Sequence, residues 1–589
     1  MKNRRLFLIT VCLVLVASLL CGCPSVTPQG TSATKPDIKD SLGNIDTNID
    51  ENDTNPEYNE GDAKNIVFSG ESVTVNGTGA AAQGSTARIS ADGTYVLSGN
   101  SSDGYVIIDA AKAEIKLVLD GLNLTHKDGP AILVKNAKKV TITLADGTNN
   151  VLSDGSSYQL YEGNAVVDGT IFAKAKLVFN GTGNLTVNGN NAHGIVCKDG
   201  LTIAGGSYNI SSKGTGICGK DYLKITGANI TINAGTDGLK SDNAEDLDMG
   251  YIYIQNGTFN INATNDAIQA YGVASIEGGS FNIKTTSTLS SASAKGIKGV
   301  SGVSISGGDF IINAQDDGIH SDGDILISQG DISISSGDDG VHANSSLEIV
   351  DGNLKITKSE EGLEATDVII NGGYVEINSY DDGINASGGN DNNTSSNVRP
   401  GGMFESSNGS ITINGGYVII CAEGDGIDAN GSLSITGGIV LVDGPASGGN
   451  GSLDYVSSAT ITGGVFVALG TKDMAQNFSS AEQGSILISS NSFSAGTLIS
   501  VCDENGNVIV AFKSTKKFAC VTVSAPELKQ GKEYKFYQNA NVSGLDENGF
   551  AHNTTQTGGT LWTTVTLSSL ISGQGNSMGG GFPGGRPPR

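Results

Sequence analysis

Basic and aromatic side chains are scarce in this chain. Between Arg5 and the final tail the only arginines are Arg88 and Arg399, and 35 Lys+Arg stand against 61 Asp+Glu, a formal net charge of −26. A polymer so poor in cations cannot neutralise phosphates, which excludes nucleic acid as a partner. Aromatic residues make up 6% of the chain, with Trp562 the one tryptophan. No segment shows the three- and four-residue apolar spacing of an amphipathic helix. The single long apolar run, Leu6 to Leu20, is short for a membrane span. Of eight cysteines, three fall in the first 23 residues; the rest, Cys197, Cys218, Cys421, Cys502 and Cys520, match no zinc spacing. Cys197/Cys218 and Cys502/Cys520 are candidate disulfide pairs, with buried small apolar side chains as the alternative.

Glycine is abundant, with 84 residues, and much of it belongs to one repeated phrase. It reads TDG-LKS at Thr236 to Ser241, DDG-IHS at Asp316 to Ser321, DDG-VHA at Asp338 to Ala343, EEG-LEA at Glu360 to Ala365, DDG-INA at Asp381 to Ala386 and GDG-IDA at Gly424 to Ala429. Gly318, Gly340, Gly362 and Gly383 are spaced by 22, 22 and 21 residues, a period that signals a solenoid. Within one period Ile319, then Ile325 and Ile327, then Ile332 and Ile334 mark three short strands separated by Gly and Asp bends. The expectation is an all-β chain coiled as a parallel β-helix of about 22 residues per rung. A second phrase, from Gly205-Gly-Ser-Tyr208 to Gly415-Gly-Tyr-Val418, sets Tyr208, Phe259, Phe281 and Phe310 on one track with Ile332, Leu354, Val375 and Val418. That track reads as core. Tyr374 and Tyr417, one position earlier, should point outward and offer faces to a sugar.

In chain order, residues 1–22 read as a lipoprotein signal peptide. Leu20-Cys21-Gly22-Cys23 resembles the bacterial lipobox, with Cys23 the lipid-modified residue, so the protein is expected outside the cell, anchored to the membrane by lipid alone. Residues 23–65, rich in Pro, Thr, Asn and Asp, are expected as a disordered tether. The coil is assigned to 66–483, with 387–410 as an exposed loop. A small β-sandwich-like cap is assigned to 484–568, closing the open end, and a flexible Gly/Pro tail to 569–589.

Stacked rungs about 4.8 Å apart would bring Asp316/Asp317, Asp338/Asp339, Glu360/Glu361 and Asp381/Asp382 into two files of carboxylates. Neighbours at that spacing repel by about 3 to 4 kcal/mol at an effective dielectric near 20. Lysines are few on this corner, which leaves raised pKa values or a bound cation. Hard carboxylate and carbonyl oxygens suit calcium, and Asp237 with Asp242 adds donors. The alternative is a solvated acidic edge. A neighbouring file, Lys240, Gln269, Lys298, His320, His342, Glu364, Asn385 and Asp428, is expected to point out as a polar groove floor, with Lys240, Lys298, His320 and His342 placed to contact a ligand.

The DDG-IHS and GG-x-F phrases, the run Asn149-Asn-Val-Leu-Ser-Asp154 and the Gly-rich tail Met578 to Arg589 resemble the clostridial cell-surface carbohydrate-binding domain family. The resemblance spans about Ile66 to Leu469 with the cap and tail. It implies a right-handed, calcium-binding parallel β-helix similar to pectate lyases that binds cellulose and polygalacturonate. The expected function is therefore non-catalytic, calcium-dependent binding of plant cell-wall polysaccharide by a monomer. Two alternatives stay open: a pectate lyase using Lys240 or Lys298 as base, and a structural surface adhesin without sugar specificity.

Overall fold

The computed structural model describes residues 45–246, 248–289, 293–387, 409–446 and 448–573; Cys23 and the signal segment, the loop 388–408 and the tail from 574 lie outside them. Among the described residues nearly every element is a strand, and the one helix is Glu51–Thr54. The periodic phrase appears directly as strand register. Ile297 pairs in parallel with Ile319, Ile319 with Val341, Val341 with Leu363, Leu363 with Ile384 and Ile384 with Ile427. A layer is 22 residues from Ile297 to Ile319 and from Ile319 to Val341, 29 from Leu239 to Ile268, and 43 from Ile384 to Ile427, so that longest interval is a single layer and not two.

The glycine of the phrase is required by close approach. A Cβ on Gly318 would stand 2.4 Å from Ile334 Cγ2 and 2.6 Å from the Gly340 carbonyl oxygen, and Gly340 and Gly362 meet the next layer in the same way. Any larger residue would push the layers apart at the corner. Side chains alternate across each strand, as in Gly257–Ala263, whose buried positions are Phe259, Ile261 and Ala263. The inward set forms one continuous core from Ile66 to Phe478. Its aromatic track runs Tyr208, Ile230, Phe259, Phe281, Phe310, Ile332, Leu354, Val375 and Val418 in unbroken register, as the spacing predicts. Phe259, Phe281 and Phe310 stack nearly parallel with centroids 4.5 Å apart. Beyond the ~1.5–3 kcal/mol for burying each ring, such pairs add about 0.5–1.5 kcal/mol.

The expected right-handed parallel β-helix with a separate sandwich-like cap needs correction. Several strands run on through the bends, as Gly302–Asn313 and Asp324–Ser335 do. The faces are thereby joined into a single sheet of 46 strands, which closes on itself around the core as a barrel-like, mainly parallel wall with many extra strands. It begins with antiparallel hairpins, Lys64–Ser69 with Ser72–Asn76 and Ala80–Gln83 with Thr86–Ile89. The C-terminal segment is woven into the same wall: Phe518–Ala525 pairs antiparallel with both Val465–Gly470 and Gly484–Phe493. A five-stranded antiparallel sheet lies beside it, in the order Phe550–Thr554, Val508–Lys513, Leu498–Cys502, Glu533–Gln538, Thr560–Thr566. Its Phe512, Phe536 and Phe550 share a second core with Leu441, Val465, Val467 and Leu469 of the wall. Ile439–Asp443 is thus buried on both sides, Val440 and Val442 inward and Leu441 outward.

The stretch read as a disordered tether is ordered from residue 45: Asp53 forms an ion pair with Lys139 at 2.7 Å and Asp46 one with Lys224 at 2.8 Å. The five described cysteines are all free thiols. Val196, not Cys197, is opposite Cys218, so the offset of one residue turns Cys197 into the core and Cys218 to the other side.

Candidate functional site

The corner carrying the repeated phrase holds two parallel columns of side chains. Amide bonds define the first: Gly216 donates to the carbonyl of Asp237, Gly238 to Asp266, Ala267 to Lys295, Gly296 to Asp317, Gly318 to Asp339, Gly340 to Glu361, Gly362 to Asp382 and Gly383 to Asp425. The residue before each phrase glycine therefore stacks on its counterpart in the next layer. Strand register defines the second column: Cys218, Lys240, Gln269, Lys298, His320, His342, Glu364, Asn385, Asp428 and Asp454. Both columns follow the spacing read from the sequence. The outer carboxylate file, Asp316, Asp338, Glu360 and Asp381, is the more exposed one, while Asp237, Asp317 and Asp339 are buried.

The second column does not form an open groove floor. His320 and His342 are 5% and 0% exposed, because each ring is clamped between the columns. His320 shares a proton with Asp317 Oδ2 at 2.7 Å through Nδ1 and with Asp322 Oδ1 at 2.9 Å through Nε2. His342 does so with Asp339 Oδ2 at 2.8 Å, while its Nε2 bonds Asn344 Oδ1 at 3.0 Å, and Glu364 Oε2 lies 3.1 Å from Nδ1. Burial alone would lower the pKa of His342, but Asp339 and Glu364 raise it to about 11, so the ring is a buried imidazolium at neutral pH. Asp317, Asp339 and Glu364 stand close enough to these rings to form three-ligand sets with them, and the rings' bonds to those carboxylates already meet their needs.

Lys295 is the residue the spacing argument missed. It takes an acid's place in the first column, and its ammonium donates to Asp317 Oδ2 at 2.5 Å and Asp316 Oδ1 at 3.0 Å. Burial pushes the Asp317 carboxyl up, yet His320 and Lys295 hold it well below the usual carboxylate range. Lys240 likewise donates to Asp237 Oδ2 at 2.7 Å, while Asp242 is exposed. Asp266, also outside the phrase, accepts the Lys295 amide at 2.9 Å and the Ser293 hydroxyl at 2.8 Å. From Asp237 to Glu364 the corner thus supplies part of its own counter-charge, while Asp316, Asp317 and Asp338 also bring carboxylate oxygens within 4.8 Å of one another and burial, then Asp317, Asp316 and Glu360, push Asp338 up to about 6. The signal for Lys295 was its position before Gly296, the slot held by an acid in the other phrases.

Past Glu364 the cations stop. Asp382, Asp425 and Asp428 bring carboxylate oxygens within 4.8 Å of one another, and among the described residues none of the three has an ion pair. Asp382 Oδ1 accepts the Asp425 amide at 2.6 Å. Burial pushes the three carboxyls up, joined by neighbouring carboxylates for Asp382 (about 7) and Asp425 (about 8) and by Asp454 for Asp428 (about 6). Glu361 is pushed to about 10 by burial and then by Glu364 and Asp339. Asn385, between Glu364 and Asp428 in its column, donates to Glu361 Oε2 at 2.7 Å, while its buried Oδ1 has no hydrogen-bond partner. A Cβ on Gly424 would come within 2.3 Å of Asp381 Oδ1 and 2.5 Å of Asp382 Oδ1, so glycine keeps that space clear. Clustered hard oxygens, an unsatisfied amide oxygen and no ammonium make a donor set fit for calcium. Of this set the spacing of the phrases assigns Glu361, Asp381 and Asp382 as ligands and misses Asp425, which precedes a phrase glycine.

Tyr374 and Tyr417 stack with centroids 5.8 Å apart, but under the C-terminal sheet. The Tyr417 hydroxyl bonds Asp546, the Tyr374 hydroxyl accepts from Asn548 Nδ2 at 3.4 Å, and Phe550 packs edge-on against Tyr417. The pair anchors that sheet to the wall.

The family described as "Carbohydrate-binding domain-containing protein" matches residues 83–340 and 338–508, more than half of the chain. The chain belongs to that family. A "Carbohydrate-binding domain-containing protein" of Acetivibrio thermocellus is 35% identical over 150 residues, 25% of this chain and 52% of the relative. The match thus covers about half the length of that relative. Among solved structures, the "polysaccharide lyase-like protein from C. thermocellum, Gadolinium derivative" is similar at 28% identity, covering 50% of this chain and all of that one, with a TM-score of 0.36.

Proposed function

We propose that this protein is a non-catalytic binder of acidic plant cell-wall polysaccharide, held at the bacterial cell surface by lipid on Cys23, and that calcium in the C-terminal part of the charged corner bridges protein and uronate carboxylates. The supporting observation is the cluster of Asp382, Asp425 and Asp428 beside the unpartnered Asn385 Oδ1. These residues, with Asp381 and Glu361, would hold the ion, which supplies positive charge to ligand carboxylates where the protein offers none. Membership of a carbohydrate-binding family is consistent with this role. Cellulose, lacking carboxylates, would bind without need of the ion.

The state of Lys240 favours binding over lyase chemistry. Burial lowers its pKa, but Asp237 outweighs burial and raises it, so at neutral pH it is an ammonium and not the free amine a base requires. Lys295 is likewise held charged by Asp317 and Asp316. Titrating polygalacturonate against the chain with and without calcium, while following absorbance of unsaturated uronate, tests both parts. Calcium-dependent binding without product is expected; product formation, or binding indifferent to calcium and to Asp382→Asn with Asp425→Asn, would overturn the proposal.

A further inference from the structure

A second row of cations lies away from the charged corner, beneath the segment 45–57. That segment crosses the strands of one face, along the stacking direction. Its contacts with the wall are polar. Lys224 donates to Asp46 Oδ2 at 2.8 Å and to the Asn48 carbonyl at 2.9 Å, and the Tyr251 hydroxyl to the Asp46 carbonyl at 3.1 Å. Lys139 donates to Asp53 Oδ1 at 2.7 Å, and Asn180 to the carbonyls of Asp53 and Asn55 at 2.9 and 3.1 Å. Lys116 donates to the carbonyls of Asn55 and Glu57 at 3.1 and 2.8 Å.

The wall groups are built into the fold. Lys116, Thr141, Val178, Thr202, Lys224 and Tyr253 follow one another in strand register along the face, a run of about 20 Å from Lys116 to Lys224 at the spacing of parallel strands. The Lys224 side chain is 4% exposed, and its ammonium sits 4.8 Å from the Tyr222 ring, which stacks on Tyr251 at 5.6 Å. A buried ammonium held over stacked tyrosines needs an oxygen partner, and here Asp46 and Asn48 provide it. The segment brings little apolar grip: Ile45 and Ile49 are half-buried, and its helix buries nothing. Every wall donor meets a carboxylate or carbonyl oxygen, the acceptor chemistry of a uronate chain. Where the segment ends, Thr94, Lys116, Lys139 and Thr141 line a cleft of about 360 Å³ against Asn52, Asn55 and Glu57.

We infer that this face is a second binding site, for an extended acidic glycan, and that the segment 45–57 is an internal occupant which such a glycan displaces. The site needs no calcium, because its charge is supplied by Lys116, Lys139 and Lys224. It goes beyond the calcium-bridged corner and stands or falls separately from it.

The test is run in excess chelator on the full chain, so failure of the calcium reading leaves it untouched. Hexagalacturonate binding is measured by calorimetry, and hydrogen exchange is followed over residues 45–57. Asp46→Ala with Asp53→Ala should tighten binding at least tenfold, and adding Lys224→Ala should remove that gain. In the unaltered chain, saturating hexagalacturonate should raise exchange over 45–57. Unchanged affinity in the double variant, or an equal gain for neutral cellohexaose, would overturn the inference. Should the double variant fail to fold, exchange in the unaltered chain decides: a segment equally protected with and without millimolar hexagalacturonate refutes displacement.

Discussion

Removing calcium should weaken the C-terminal corner, and weaken it more as the pH rises. Asp382, ordinarily at 3.8, is pushed to about 7 by burial and then by Asp428, Asp381 and Asp454, even after its bond from the Asp425 amide. Between these values the folded chain keeps a proton that the unfolded chain has lost, so the fold binds more protons and its stability falls as pH rises from about 4 to about 8. A pKa unit is worth about 1.4 kcal/mol, which makes Asp382 alone a penalty of roughly 4 kcal/mol by pH 8. Asp425 and Asp428 do not simply add, because Asp382 and Asp425 are raised by charges they share with each other and with Asp428. Bound as proposed, calcium would reverse the dependence: its ligands must be ionised, so binding would release protons and strengthen with pH. At a hundred times Kd it returns about 2.7 kcal/mol. For a chain of this length ~4 kcal/mol is about 3 °C if it melts as one unit, and more if the C-terminal layers open first. Melting temperature measured from pH 5 to 8 should therefore fall in chelator and hold level in millimolar calcium. Asp382→Asn with Asp425→Asn should flatten the chelator curve and abolish the calcium effect. Parallel curves with and without calcium would refute the reasoning.

Lys295→Met should destabilise by about 3–5 kcal/mol, the loss expected when one partner of a buried ion pair is removed, read as the midpoint of denaturant unfolding. His342→Gln should cost a similar amount at neutral pH. The contribution of a group raised to about 11 is complete below about 6.5 and fades as pH climbs through 11, so the difference between variant and parent should shrink at high pH. Phe281→Ala, which breaks the ring stack in the middle, should cost about 3–5 kcal/mol and leave polygalacturonate binding intact, as calorimetry would show. In the native host Cys23→Ser should release the chain or leave it unprocessed, visible on fractionation of cells.

The layer period, the inward aromatic track and both columns of the corner were legible because a stacked wall repeats its sequence in register. What the phrase did not carry was which side of each column meets water. His320 and His342 read as outward by alternation, which is correct for the strand, but at this corner outward side chains of the second column meet the first column and are buried between the two. Lys295 escaped because the phrase was recognised by its acids, and a lysine in an acid's slot breaks the pattern while completing the charge balance. The joining of the faces into one closed sheet and the weaving of the C-terminal strands into it depend on strands running through bends and on pairing far apart in sequence, which local alternation does not encode. Tyr374 and Tyr417 were placed on the outer face correctly; their covering arrives from Asp546, Asn548 and Phe550, more than a hundred residues on.

Why the corner carries its own cations along one half and none along the other follows from what each half must do. A carboxylate file about 4.8 Å in repeat cannot stay ionised and unpaired when buried, so every layer needs a proton, a fixed cation or a mobile one. Lys240, Lys295 and His342 are fixed cations, and they hold their layers together whatever the medium contains. A layer balanced this way has no charge left to offer a ligand. Around Asp382, Asp425 and Asp428 the balance is left to a proton or an ion. Only a metal ion can keep these carboxylates ionised and still accept further oxygen ligands from outside. On the proposed reading, the cation-free end is where an acidic polymer would be recognised through a shared ion. Transplanting a fixed cation there, as in Asp428→Lys, should raise stability in chelator while removing calcium-dependent polygalacturonate binding. A variant that is stabilised yet still binds polygalacturonate only with calcium would show that the bridging ion sits elsewhere.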